Sequence, residues 1–186
     1  LGLGVAHILL GFGETIQERA TVKTYWVHTV WSVNVLHYHL SIWWNYFVWG
    51  EVETWDYGLF LLLIGYAILL FLMAVVIYPR RLDPGFDFKQ HLLDNRLWFF
   101  ALLTISSFVD VGETLLKEAS GIRAVPEGYV PYAAAVIGAA VACLFSRSTK
   151  VLAAAGVLWL AMDLYFNGTA VGALGDLFSR SLCRCF

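Results

Sequence analysis

Five side chains able to carry a proton sit inside long apolar runs: His7, His37, His39, Asp110 and Asp163. Imidazole is the side chain that changes charge between about pH 5 and 8, and a carboxylate beside it can share the proton. An ionisable group in hydrocarbon costs about 2.5 to 3.5 kcal/mol on insertion scales, so such groups face protein or water rather than lipid. Counting about 1.5 Å per helical residue from the basic end of each run puts His7 roughly 15 Å in, His37 and His39 roughly 18 and 21 Å in, and Asp110 and Asp163 near 20 Å. Separate helices therefore bring titratable groups to one level, with Glu14 and Glu113 nearer the mouths of a shared site. The chemistry expected of that cluster is proton-linked passage of a small solute or ion. Another reading satisfies each group alone: Asp110 by Ser106, Asp163 by a neighbouring tyrosine, the histidines by backbone carbonyls.

The spacing limits what these residues can bind. At 100° per residue His28, Ser32 and His39 share one face of a helix, and Asn34, His37, Ser41 and Asn45 lie nearly opposite. His37 and His39 point about 160° apart and cannot chelate one metal from one helix, so no metal site is expected. Paired axial histidines from the first two helices would suit haem, and Trp31, Trp43 and Trp44 could flank a quinone or pigment, but nothing else calls for either cofactor. Polar stripes at helical spacing run along His7, Gly11, Glu14 and Glu18, and along Ser106, Asp110, Glu113 and Lys117. No nucleophile with a base and orienting group, no glycine-rich phosphate loop and no Cys-x-x-Cys pair occurs, so no catalytic residue is assigned. Cys183-Arg184-Cys185 reads as a plain tail. Gly-Glu-Thr at 13–15 and again at 112–114 has the layout of an inverted repeat, though the other helices share nothing visible.

The elements that must position these groups follow from composition. The chain has 186 residues, 60% hydrophobic and 14% charged, with mean hydropathy +0.70. A soluble domain carries nearly twice that charged fraction, so the sequence reads as an integral membrane protein. Its net charge of −2 excludes nucleic-acid binding as a main role. The predicted fold is an all-α bundle of six transmembrane helices at about 1–17, 25–49, 56–78, 97–116, 128–146 and 151–174, forming one domain over 1–186, with an amphipathic loop at 80–96. Leu1, rather than Met, opens the chain, and further residues are expected upstream of it. Arg19, Lys23, Arg80, Arg81, Lys89, Arg96, Arg147 and Lys150 fall on one side, which the positive-inside rule makes cytoplasmic, with both termini outside. Ala134, Gly138 and Ala142 repeat at four-residue spacing, which predicts close packing of the last two spans.

Gly2-Leu3-Gly4 with His7 and Gly11, Tyr25-Trp26-Val27-His28 with Trp31 and Asn34, and Trp43-Trp44 are joined later by Leu97-Trp98-Phe99-Phe100, Val109-Asp110-Val111, Lys117 and Arg123. This pattern resembles a group of small, uncharacterised bacterial multi-pass membrane proteins, over most of the chain and most weakly after Val151. The resemblance implies a bacterial inner-membrane location and supplies no activity. Two functions are expected: a small proton-linked transporter or channel, or an accessory subunit of a larger membrane complex packing against other chains, lipid or pigment. Membrane lipids are the expected partners, with a homo-oligomer or a larger assembly around the chain.

Overall fold

The structure is a computed structural model and describes residues 1–52 and 55–182, apart from the side chains of Glu51 and of 169–182. The Cys183 and Cys185 tail lies outside the described residues. Those described form seven α-helices and no strand. They are α1 (Gly2–Gln17), α2 (Trp26–Tyr46), α3 (Tyr57–Ile77), α4 (Phe88–Asp94), α5 (Arg96–Ala119), α6 (Tyr129–Phe145) and α7 (Thr149–Leu182), with a 3₁₀ turn at Phe47–Glu51 after α2.

Local chemistry sets several of these boundaries. Asp56 accepts from Leu59 N at 2.9 Å to cap α3, and Asp87 accepts from Lys89 N and Gln90 N at 3.0 and 3.1 Å to cap α4. Pro79 disfavours a helical conformation at Tyr78, which is extended, and α3 stops there. The end of α5 is closed by two backbone bonds, Gly121 N to Glu118 O at 2.9 Å and Ile122 N to Lys117 O at 3.0 Å. That arrangement needs a left-handed residue, supplied by Gly121 at φ 68°. The reversal carries Arg123 back over the end of the bundle.

Neighbouring helices pack α1 on α3, α3 on α5, α5 on α6 and α6 on α7, while α2 touches α1, α3, α4 and α7. Trp31 of α2 reaches Phe99 and Phe100 of α5 with ring centroids 5.7 and 4.9 Å apart, and Trp159 of α7 at 6.0 Å. This aromatic group, with Ile8, Leu70, Met73 and Leu152, is the centre of the core. Because α2 is covered on several sides, it can carry three histidines, two serines and two asparagines in 21 residues. Trp31 Nε1 and Asn34 Nδ2 donate to the Leu152 and Gly156 carbonyls of α7 at 3.1 and 2.9 Å, which offsets the desolvation of both donors. Close approach of α1 depends on missing side chains: a Cβ on Gly11 would come within 2.4 Å of the Tyr78 ring, and one on Gly4 within 2.4 Å of His39.

Three helices, Tyr57–Ile77, Arg96–Ala119 and Thr149–Gly168, are long and apolar enough to cross a membrane, against the six expected. Among the rest, α1 and α6 have only 16 and 17 residues, and α2 spends its length on polar side chains directed inward. The segment after Pro79 does contain a surface helix, α4, but a short one with Phe88 and Leu92 buried. The last helix runs on to Leu182, beyond the expected end near 174. The small-residue stripe is corrected: Ala134, Gly138 and Ala142 are exposed, and a Cβ on Gly138 would meet nothing within 4 Å. The buried face of α6 is instead Ala133, Val136, Ala140 and Cys143, where small side chains sit without a four-residue repeat of their own.

Candidate functional site

The polar residues gather where α2 and α5 end and α6 begins. A cavity of about 60 Å³, room for a few water molecules, is lined there by Asp110, Glu113 and Lys117 of α5, Arg123 of the following loop, and Tyr129 and Asp163 of α6 and α7. Position 110 points inward from α5, and its carboxylate accepts from Tyr129 Oη at 2.9 Å and Tyr66 Oη at 3.3 Å. Tyr66 in turn shares a 2.7 Å hydrogen bond with Tyr38 of α2. A file of hydroxyls thus runs from α2 through α3 to the acid on α5.

Asp163 is 1% exposed and has three donors. Tyr132 Oη and Asn167 Nδ2 reach Oδ1 at 2.7 and 2.8 Å, and His37 Nδ1 reaches Oδ2 at 2.5 Å. Such donors stabilise the ionised carboxylate, and the short contact to imidazole makes a pair in which a proton can be shared.

The third acid, Glu113, is 3% exposed and paired. Its Oε1 accepts from Lys117 Nζ at 2.6 Å and Trp49 Nε1 at 2.5 Å. Lys117 also donates to the Asn45 carbonyl at 3.1 Å, at the C-terminal end of α2 where a cation is favoured, and stands 5.3 Å above the Trp49 ring. Arg123 donates to Asn45 Oδ1 at 3.2 Å. Burial pulls its pKa below the ordinary value and the Glu113 charge pulls it up, but a guanidinium stays protonated throughout the accessible range. Three carboxylates therefore face two fixed cations, and His37 decides whether the charges cancel.

Of the residues singled out by sequence, the structure brings together His37, Asp110, Glu113 and Asp163. His7, His39 and Glu14 are elsewhere. His39 is buried against Gly4 and shares a 2.7 Å hydrogen bond with the Val35 carbonyl, a partner on its own helix. Glu14 lies on α1 away from the cavity. His7 Nε2 donates to the Tyr78 carbonyl at 3.0 Å, His28 Nε2 to Ile77 at 2.9 Å and His91 Nε2 to Val76 at 3.1 Å. Those three consecutive carbonyls close α3, and histidines from α1, α2 and α4 occupy them. Ser106, offered as a partner for Asp110, makes no hydrogen bond from its hydroxyl. Tyr38, Tyr66, Tyr129, Tyr132, Asn45 and Arg123 are members of the site beyond those the sequence singles out. Tyr129, Tyr132 and Arg123 stand near helix ends, where such groups turn inward as readily as toward the headgroups, Asn45 shares the helix face of His37, and Tyr38 and Tyr66 lie mid-helix with no signal in the sequence.

Among the described residues no group of three His, Cys, Asp or Glu is placed to hold a metal ion. What fold and site define is an all-helical chain with membrane-length apolar helices and a charged cavity at one end. No family model, no curated protein and no solved structure matches the chain.

Proposed function

We propose that the chain is a small proton-linked transporter, with the cavity between α2, α5, α6 and α7 as the half of its route open to one side of the membrane. The observation that carries this reading is the half-buried His37–Asp163 contact of 2.5 Å, whose acid lines a cavity together with two further acids and two cations. Taking up one proton there, or one small cation, neutralises the excess carboxylate, which couples solute occupancy to protonation. Toward the arginine-rich end the route is filled by Trp31, Phe99, Phe100 and Trp159, which favours a carrier that must rearrange over a standing pore.

Liposomes holding the purified chain and a trapped pH dye test the reading, with sodium, ammonium and methylammonium as probe solutes across pH 5 to 8. Proton movement above that of empty liposomes is expected, increased by at least one probe and strongly reduced in Asp163→Asn and Asp110→Asn. Fluxes equal to those of empty liposomes for all probes, or unchanged in both variants, overturn it. A second reading, an accessory subunit of a membrane complex, is favoured by one observation: every charged group of the cavity already has a partner within the chain. Native purification with a stoichiometric second protein would support that reading instead.

A further inference from the structure

At the opposite, arginine-rich end, Arg96 opens α5 and is only 6% exposed, yet its Nε has no hydrogen-bond partner. Its guanidinium makes no ion pair with any described residue. Taking a permanent charge out of water costs several kcal/mol unless something answers it. The side chain lines a cavity of about 360 Å³ with Gln90, Leu93, Asp94, Leu97 and Arg147. Arg147, from the turn between α6 and α7, brings a second guanidinium into the same space. The one acid there, Asp94, accepts from Gln90 Nε2 at 2.8 Å, so the cavity has two cations against one carboxylate.

The backbone adds to this field. Asn95, the residue before α5, gives no side-chain cap, and its amide turns to the His91 ring and carbonyl at 3.2 and 3.1 Å. The positive end of α5 is thus left without a side-chain acceptor beside the buried Arg96. Leu97 and Trp98, 55% and 72% exposed, continue the cavity onto the apolar surface of a helix long enough to cross a membrane.

We propose that this cavity is a binding site for a phosphate group held by the guanidinium forks of Arg96 and Arg147. Planar guanidinium matches the oxygens of a phosphate in a two-pronged contact, and basic pockets between helices at the cytoplasmic surface take up lipid headgroups. The phosphate comes either from an anionic phospholipid, whose acyl chains would run along Leu97 and Trp98, or from free phosphate. The site is independent of the transport reading, since it lies at the other end of the bundle and shares no residue with the first cavity.

The test uses the purified full chain in a neutral detergent and follows its thermal unfolding. Phosphatidylglycerol, dioleoylglycerol and inorganic phosphate are titrated separately, the second offering acyl chains without a phosphate. Stabilisation by phosphatidylglycerol well beyond dioleoylglycerol identifies a lipid source, and stabilisation by inorganic phosphate alone identifies a free one. Arg147→Gln, at an exposed position and safe for folding, should raise the half-saturating concentration about fivefold, as the loss of about 1 kcal/mol per basic contact implies. Arg96→Lys keeps the charge but removes the fork and should weaken binding too. The proposal fails if neither phosphate source exceeds dioleoylglycerol, or if both variants titrate like the wild type.

Discussion

Glu113 and Lys117 are one helical turn apart, both side chains 4% exposed, and each is answered by groups beyond the other. Removing one partner of such a pair leaves a buried charge alone, which is far more costly than never having had the pair. Lys117→Met should therefore destabilise the protein by about 3 to 5 kcal/mol, whereas Glu113→Leu combined with Lys117→Met should recover most of that loss. Denaturant unfolding of the two variants in detergent measures the difference. If the single and double variants are equally unstable, the methionine is failing for reasons of packing, not charge. At this scale the sequence was readable only in part. His37 and Asp163 could be matched because both stand deep within apolar runs, and depth is something counting reveals. Lys117 and Arg123 stand near an end, where a cation is equally at home among headgroups, and counting does not tell inward from outward.

The three carbonyls that finish α3 have no partner within their own helix, as at any helix end. Here each is taken by a histidine from a different element, so α1, α2 and α4 are all registered against the same turn. His91 is the member outside the apolar helices. Its Nε2 serves Val76, and its Nδ1 stands 3.2 Å from the Asn95 amide nitrogen, an arrangement suited to the neutral ring. Burial lowers its pKa, outweighing the Val76 and Ile77 carbonyls and the Asp94 charge that raise it, and the His28 ring stands 6.4 Å away. A base with a lowered pKa binds fewer protons folded than unfolded, so its contribution is complete above the unfolded value of about 6.5 and is lost as pH falls below it. Thermal unfolding from pH 8 to 5 should show that decline, and His91→Gln, which can still donate to Val76, should flatten it. An equal slope in both proteins would place the pH dependence in other groups. Element positions were mostly legible, because Pro79, Asp56, Asp87 and Gly121 punctuate them by local chemistry. Which face of α6 turns inward was not, since small residues at Ala134, Gly138 and Ala142 and at Ala133 and Ala140 offer two similar surfaces.

For the whole molecule, the share of a helix's surface covered by protein sets how much polarity it can carry. Helix α3, exposing Phe60, Leu61, Ile64 and Ile68, is apolar enough to be recognised by hydropathy, and α2, which exposes Val33, Leu40, Trp43 and Trp44 but turns His28, Ser32, Asn34 and His39 inward, is not. A helix with one face enclosed by protein is free to make that face polar, and hydropathy then passes over it whether or not it crosses. If α1, α2 and α6 also cross, the short loops force alternation, and the loops before α2, before α5 and before α7 share one side. That side carries Arg19, Lys23, Arg80, Arg81, Lys89, Arg96, Arg147 and Lys150, eight in all, against Lys117 near the end of α5, Arg123 after it, and Arg180 and Arg184 near the C-terminal end, so the positive-inside rule makes it cytoplasmic. Asp83 and Glu127, both exposed, report on opposite sides. In a background with Cys183→Ser and Cys185→Ser, and with Cys143 buried, Glu127→Cys should react with a membrane-impermeant maleimide in intact bacterial cells, and Asp83→Cys only after the membrane is opened. Labelling of both in intact cells would mean that fewer helices cross than alternation requires, and the reverse pattern would turn the cavity of Asp110 and Asp163 toward the cytoplasm and the arginine pair away from it.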